Sequence, residues 1–232
     1  MSAASSLAAL DAMVDRRVAG EPLELVIGWA EFAGQLIAVE PGVFVPRRRT
    51  VLLAETAVAL VDGVAGPVVV DLCCGTGAVA AAVHGVRPDA RIHATDIDPR
   101  AVACARRNLV NVGEVHHGDL ADALPVGLVG RVDVMVVNAP YVPTDEIALM
   151  PPEARDHEPW SALDGGPDGV VVHRRVAAQA SQWLRSGGHL VIETSRRQAG
   201  LTLAAMEEQG LAVRVARSDE LDATAVVGTF GS

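Results

Sequence analysis

Residues 68–80 read VVVDLCCGTGAVA: a β-branched run from Val68 ends in the acid Asp71, and Gly75-x-Gly77 then carries the chain into an alanine-rich stretch. Strand, tight glycine turn and helix in that order open a parallel α/β sheet, which binds ligands at the carboxyl ends of its strands. Glycines there permit positive φ and let backbone approach a ligand closely. The site is of nucleotide type, at the junction of Asp71, Leu72, Cys73, Gly75 and Gly77.

Downstream, the pattern alternates. RIHATD (91–96), EVHHGD (114–119), VDVMVVN (132–138) and HLVIET (189–194) read as strands, with helices over AVAAAV, AVACARRNLV, VVHRRVAAQASQWL and Gln198 to Gln209. Short β-branched runs alternating with helices predict a parallel sheet covered on both faces. The closing runs LAVRVAR and ATAVVGTF are separated only by Ser218 to Asp222, so the seventh and last strand is expected to run antiparallel. Upstream, residues 2–19 predict one helix, LELVIGWAEFAGQLIAVEPGVFVP two β-prone runs in a short hairpin, and Arg47 to Thr50 the opening of a helix reaching about Leu60. Residues 1–45 are therefore expected to be a short appendage and 46–232 one catalytic domain.

The chain of 232 residues carries 19 basic against 29 acidic residues, a net charge of −10, which argues against stable binding to nucleic acid. No run of about 18 uninterrupted apolar residues and no basic-then-apolar leader occurs, so no membrane association and a cytoplasmic location are expected. Three cysteines form no CxxC, and no helix spacing pairs the seven histidines, so no bound metal is expected.

Taken alone, Gly75-x-Gly77-x-x-Ala80 also fits a dinucleotide fingerprint, with Asp96 spaced as a ribose-binding acid. Asp71 discriminates: a carboxylate just before the loop repels a pyrophosphate and attracts an ammonium and a sulfonium, the two cations of S-adenosylmethionine. Asp71, Asp96 (followed by Ile97) and Asp119 (followed by Leu120) end three consecutive strands and suit methionine, ribose and adenine in turn; each also suits a turn or helix cap. The next strand ends in Asn138-Ala139-Pro140-Tyr141, with the only tyrosine in the chain. A carboxamide oxygen and a neighbouring backbone carbonyl can grip one NH2, Pro140 stiffens the turn, and Tyr141 can cover the acceptor, so that positioning drives transfer of an already activated methyl group. The gap from Tyr141 to about Asp168 is long enough to suggest a functional loop, with Trp160 a candidate anchor.

From about Gly20 onward the sequence resembles the HemK-type protein-(glutamine-N5) methyltransferases. DLCCGTG resembles the family's cofactor loop, NAPY its NPPY motif, and PEARDHEPWSALDGGPDGVVVHRRV its substrate loop. The resemblance implies the Rossmann-like, seven-stranded class I methyltransferase fold, S-adenosylmethionine as cofactor, and methylation of a glutamine amide in a protein such as a peptide release factor. It also implies that Asn138 binds the target amide with backbone help from Ala139 or Pro140. The family's P-R-P-[ED]-T-E reads Pro46-Arg47-Arg48-Arg49-Thr50-Val51 here, which makes Arg47 a candidate substrate contact and the run either a solvated helix start or a docking patch. About twenty residues stand where the family has a helical N-terminal domain, which leaves a peptide or a small amine open as acceptor. Adenine-N6 methylation of nucleic acid and a catalytically silent cofactor-binding module are the remaining readings.

Overall fold

The computed structural model describes residues 6–231. Helix α1 (Leu7–Val18) begins at Ser6, whose hydroxyl accepts from Ala9 N; residues 2–5 of the expected helix lie outside the described residues. Helix α1 buries none of its side chains and is held by Arg16, which bonds Glu21 and the carbonyls of Leu25 and Val26.

The first of the two runs expected to form a hairpin folds differently. Leu23–Ile27 is a short helix, α2. Pro22 fixes φ at its start, and Gly28 closes it in the left-handed region at φ 83°. The hairpin forms one step later, from β1 (Trp29–Phe32) and β2 (Gln35–Ala38), across Ala33 and Gly34, both at positive φ as a tight primed turn requires. Phe32 and Ile37 sit in the same apolar cluster as the helices described next. Asn108 fastens the hairpin by accepting from Ala38 N and donating to Ala38 O and Thr76 O, each at 2.9 Å.

A single-turn 3-10 helix (Arg48–Thr50) leads into α3 (Val51–Leu60). The sheet elements follow: β3 (Val68–Leu72), α4 (Ala78–Val86), β4 (Arg91–Asp96), α5 (Pro99–Asn108), β5 (Gly113–His117) and β6 (Val132–Val137). After the 141–168 segment come α7 (Val171–Trp183), β7 (Leu184–Glu193), α8 (Ala199–Glu207), β8 (Ala212–Ser218) and β9 (Ala223–Thr229). That segment is not bare loop: it holds two 3-10 turns and the short helix α6 (Pro152–His157).

The seven-stranded sheet runs β5-β4-β3-β6-β7-β9-β8, with β9 antiparallel to both neighbours and the other pairings parallel. Strands β3 and β6 are buried along their whole length, as a sheet covered on both faces demands. One face carries α3, α4 and α5 over Val69, Ile92 and Val134; the other carries α7 and α8 over Val70, Met135 and Ile192. The chain moves outward from β3 through β4 to β5, then returns to place β6 on the far side of β3, with Leu72 beside Val137. That reversal is the topological switch point where such sheets open a crevice, and it brings Asp71 and Asn138 to the same crevice at the carboxyl ends of β3 and β6. Among the described residues no helix is long and apolar enough to cross a membrane.

Candidate active site

A cleft of about 450 Å³ opens at the switch point. It gathers Asp71, Cys73, Gly75, Asp96, Ile97, Asp119 and Leu120 on one side, and Arg47, Asn138, Ala139, Pro140 and Tyr141 on the other. Two expected cofactor residues do not line it. The Leu72 side chain is fully buried in the core, because side chains alternate faces along a strand. Gly77, at φ 77°, packs against α5, where a Cβ would lie 3.0 Å from Leu109 Cδ1; its role is close packing and the turn into α4.

The donor-facing half is organised by its acids. Asp71 is 2% exposed, and Oδ2 accepts from Ala80 N at 3.1 Å, tying β3 to α4. Burial pushes its carboxyl up to about 7, against the pull of that hydrogen bond, and Asp96 adds repulsion. Asp96 accepts from Gly75 N through Oδ2 and from Asp98 N through Oδ1, each at 2.9 Å, which sets the glycine loop; burial again raises its carboxyl. Asp119 pairs with Arg175 at 2.6 Å. Asp71 and Asp96 thus have the structural work of a turn or cap as well as a place on the cleft, whereas the Asp119 side chain makes no cap bond. Cys73 (φ 55°) and Leu120 (φ 49°) hold left-handed backbone beside it, strain of a kind that concentrates at functional sites. Seven carboxylates and two guanidiniums line the cleft, a balance that disfavours a pyrophosphate and favours a cation. Gly75, at φ 55°, lines the cleft, and an added Cβ would only touch Phe44 at 3.9 Å, so its left-handed backbone is what calls for glycine. These features fit S-adenosylmethionine and not a dinucleotide.

The acceptor-facing half depends on residues the motifs did not reveal. Asn138 Nδ2 donates to Thr50 Oγ1 at 3.4 Å. Thr50 is 3% exposed and lies beside the carboxylate of Glu193, the last residue of β7. This bond turns the amide NH2 toward Thr50 and leaves Oδ1 as the free acceptor. Glu193 Oε1 also accepts from Tyr141 OH at 3.4 Å and from Arg49 Nε at 3.3 Å. Burial raises the Glu193 carboxyl, opposed by the neighbouring Thr50, Arg49 and Tyr141. Tyr141 is pushed up to about 12, by burial first and the Glu193 charge second, and stays a neutral phenol. It is no base.

The arginine run divides three ways. Arg47 pairs with Glu158 at 2.5 Å and lies 5.1 Å from the Phe44 ring centre, Arg49 pairs with Glu193 and stacks on Tyr141, and Arg48 is exposed toward Glu220. Arg47 and Arg49 each pair with a buried acid while lining the cleft, and Arg48 alone is turned fully to solvent. Glu158 Oε2 and Glu193 Oε2 are buried without a partner among the described residues.

The long segment returns to lock the motif. Val142 pairs with Asp164 in a one-bridge parallel contact, with Val142 N to Leu163 O at 3.0 Å and Gly165 N to Val142 O at 2.8 Å. Gln198 Nε2 donates to Tyr141 O at 2.7 Å. Gly165 and Gly169 are glycines because a Cβ would come within 2.7 Å of Tyr141 Cα and 2.4 Å of Tyr141 O respectively. Trp160 is 58% exposed, its indole bonded to Asp164, and is not buried as an anchor.

Comparison with known proteins agrees with this geometry. Residues 37–150 match the family described as methyltransferase small domain. The release factor glutamine methyltransferase of Mycolicibacterium smegmatis is 41% identical over 88% of this chain and 73% of its own length. A 4-amino-L-phenylalanine/4-methylamino-L-phenylalanine methyltransferase of Streptomyces pristinaespiralis is 36% identical over 78% of this chain and 63% of its own. Among solved structures, a methyltransferase from Pyrococcus furiosus superposes with a TM-score of 0.61 at 14% identity, covering 96% of this chain and 98% of its own.

Proposed function

The chain belongs to the release factor glutamine methyltransferase family, and from that membership we propose that it methylates the side-chain amide nitrogen of a glutamine in a protein such as a peptide release factor. S-adenosylmethionine, held by Asp71, Cys73, the Gly75 backbone, Asp96, Ile97, Asp119 and Leu120, supplies the activated methyl group on a cationic sulfur. The single observation that carries the reading is the amide of Asn138 at the cleft, with its NH2 turned to Thr50. Its free Oδ1 accepts one N–H of the target amide, and the Ala139 or Pro140 carbonyl accepts the other. Two acceptors hold the nitrogen still, and positioning of this kind accounts for most of the acceleration when the methyl is already activated. Tyr141 supplies a flat apolar wall that keeps water from the acceptor, and no group on the wall acts as a strong base. Residues 46–232 perform this chemistry, with 1–45 as an appendage, and a cytoplasmic site of action follows from the proposed partner.

The Streptomyces pristinaespiralis relative, whose name specifies an aromatic amine, favours a second reading in which this cleft takes a small amine. The test is incubation of the full chain and labelled S-adenosylmethionine with release factors and, separately, with 4-aminophenylalanine, followed by mass spectrometry of the methylated atom. Label on a release-factor glutamine amide is expected. Label confined to the aromatic amine would replace the first reading with the second.

A further inference from the structure

Outside the transfer cleft, two strands bring together a set of donors that no step above uses. In the parallel register of β4 and β5, His93 lies opposite Glu114 and Thr95 opposite His116. Alternation along a strand puts Glu114 and His116 on one face, while Val115 between them turns into the core of the other. His93 Nδ1 and His116 Nε2 stand 3.2 Å apart, with the rings 18° from parallel, and one ligand atom from each of the three residues lies within 4.8 Å of the other two.

We propose that His93, Glu114 and His116 bind one divalent ion of the zinc class. Two imidazole nitrogens on a tetrahedral ion, each about 2.0–2.1 Å from it, stand about 3.3 Å apart, the spacing found here. Two nitrogens and one carboxylate suit zinc in preference to magnesium or calcium, which take oxygen donors, and a solvent oxygen completes four-coordination. Imidazoles are ordinarily neutral, and so ligand-competent, near pH 7. Thr95, the register partner of His116, is fully buried, and its hydroxyl has no partner among the described residues. It is placed to serve the outer hydrogen-bond shell that metal ligands require. The ion would clasp edge strand β5 to β4 just before they deliver Asp119 and Asp96 to the cleft, a structural role separate from methyl transfer. The sequence hides this site because its ligands follow strand spacing across two strands, not helix spacing.

Titration calorimetry of the full chain with zinc chloride alone tests it. One ion per chain is expected, with affinity reduced roughly tenfold or more in His93→Gln and in His116→Gln. Both side chains are only half-buried at the sheet edge, and zinc-free melting curves check that the variants fold. Cobalt(II) should give a spectrum of nitrogen and oxygen ligands. Absence of binding, unchanged affinity in both variants, or a thiolate-to-cobalt band pointing to Cys73, Cys74 or Cys104 would each overturn the site and leave the two rings joined by a plain N–H···N bond.

Discussion

The two halves of the cleft are built at different ranges along the chain. On the donor side, Asp71 reaches Ala80 nine residues on, Asp96 reaches Gly75 at a separation of 21, and Asp98 lies two residues from Asp96. On the acceptor side, Asn138 meets Thr50 across 88 residues, Tyr141 meets Glu193 across 52, and Arg49 meets Glu193 across 144. A local constellation appears in sequence as a motif, because the turn that makes the bonds also spaces the letters. A remote one does not, although it sets the direction of the Asn138 amide.

The largest expected effect comes from the group where the two halves meet. Asn138→Ala should lower the transfer rate by roughly 100-fold or more, the usual cost of one preorganised polar group, while cofactor affinity measured by calorimetry stays within about twofold. Loss of cofactor affinity with an unchanged transfer rate would assign Asn138 to the wrong half.

Next is Gly169→Ala. Its φ of 74° and the approach of an added Cβ to Gln198 Nε2 and Tyr141 O predict a loss of about 2 kcal/mol in stability, read by denaturant melting. A neutral effect would mean that the 141–168 segment does not pack on the motif as described.

A smaller effect belongs to Asp71 and tests the donor side through pH. Its folded carboxyl lies at about 7, raised above the ordinary 3.8. The native state therefore holds the proton more tightly, and this contribution to stability is complete below about pH 4 and lost as pH rises through about 7. Cofactor affinity runs the other way, strengthening through about pH 7 as the carboxylate forms and meets a cation. Asp71→Asn should flatten both profiles; an unchanged affinity profile would remove Asp71 from the cation's surroundings.

The smallest effect is expected at Arg48→Ala, within about twofold in activity, since that side chain is exposed and its pairing with Glu220 is a surface one. A large loss would point to the docking patch.

Legibility in the sequence follows the same division. All seven strands of the sheet were readable as short runs, whereas the reversal that gives β6 its place beside β3 is seen only in the fold. The antiparallel last strand follows from its short connection. LELVIG failed because five apolar-rich residues between a proline and a glycine satisfy a capped helical turn as readily as a strand, and Pro22 and Gly28 decide for the helix. In the cleft, Asn138 and the three acids were readable from strand ends. The burial of the Leu72 side chain was not readable, because adjacency to a site in sequence says nothing about which face a side chain takes. Thr50, Glu193, Gln198 and Glu158 were not readable as site residues, since each acquires its role only when distant elements pack. Arg47 and Arg49 read as surface charge for the same reason: their partners lie more than a hundred residues away.

The central claim is that Thr50 aims the Asn138 carboxamide, and the most direct measurement is single-turnover methyl transfer for Thr50→Val and Thr50→Ser beside cofactor affinity for each. Loss of the hydroxyl alone should slow transfer roughly tenfold, the worth of one hydrogen bond, with cofactor affinity unchanged and the rate recovered in the serine variant. Equal rates in the valine and native proteins would contradict the claim.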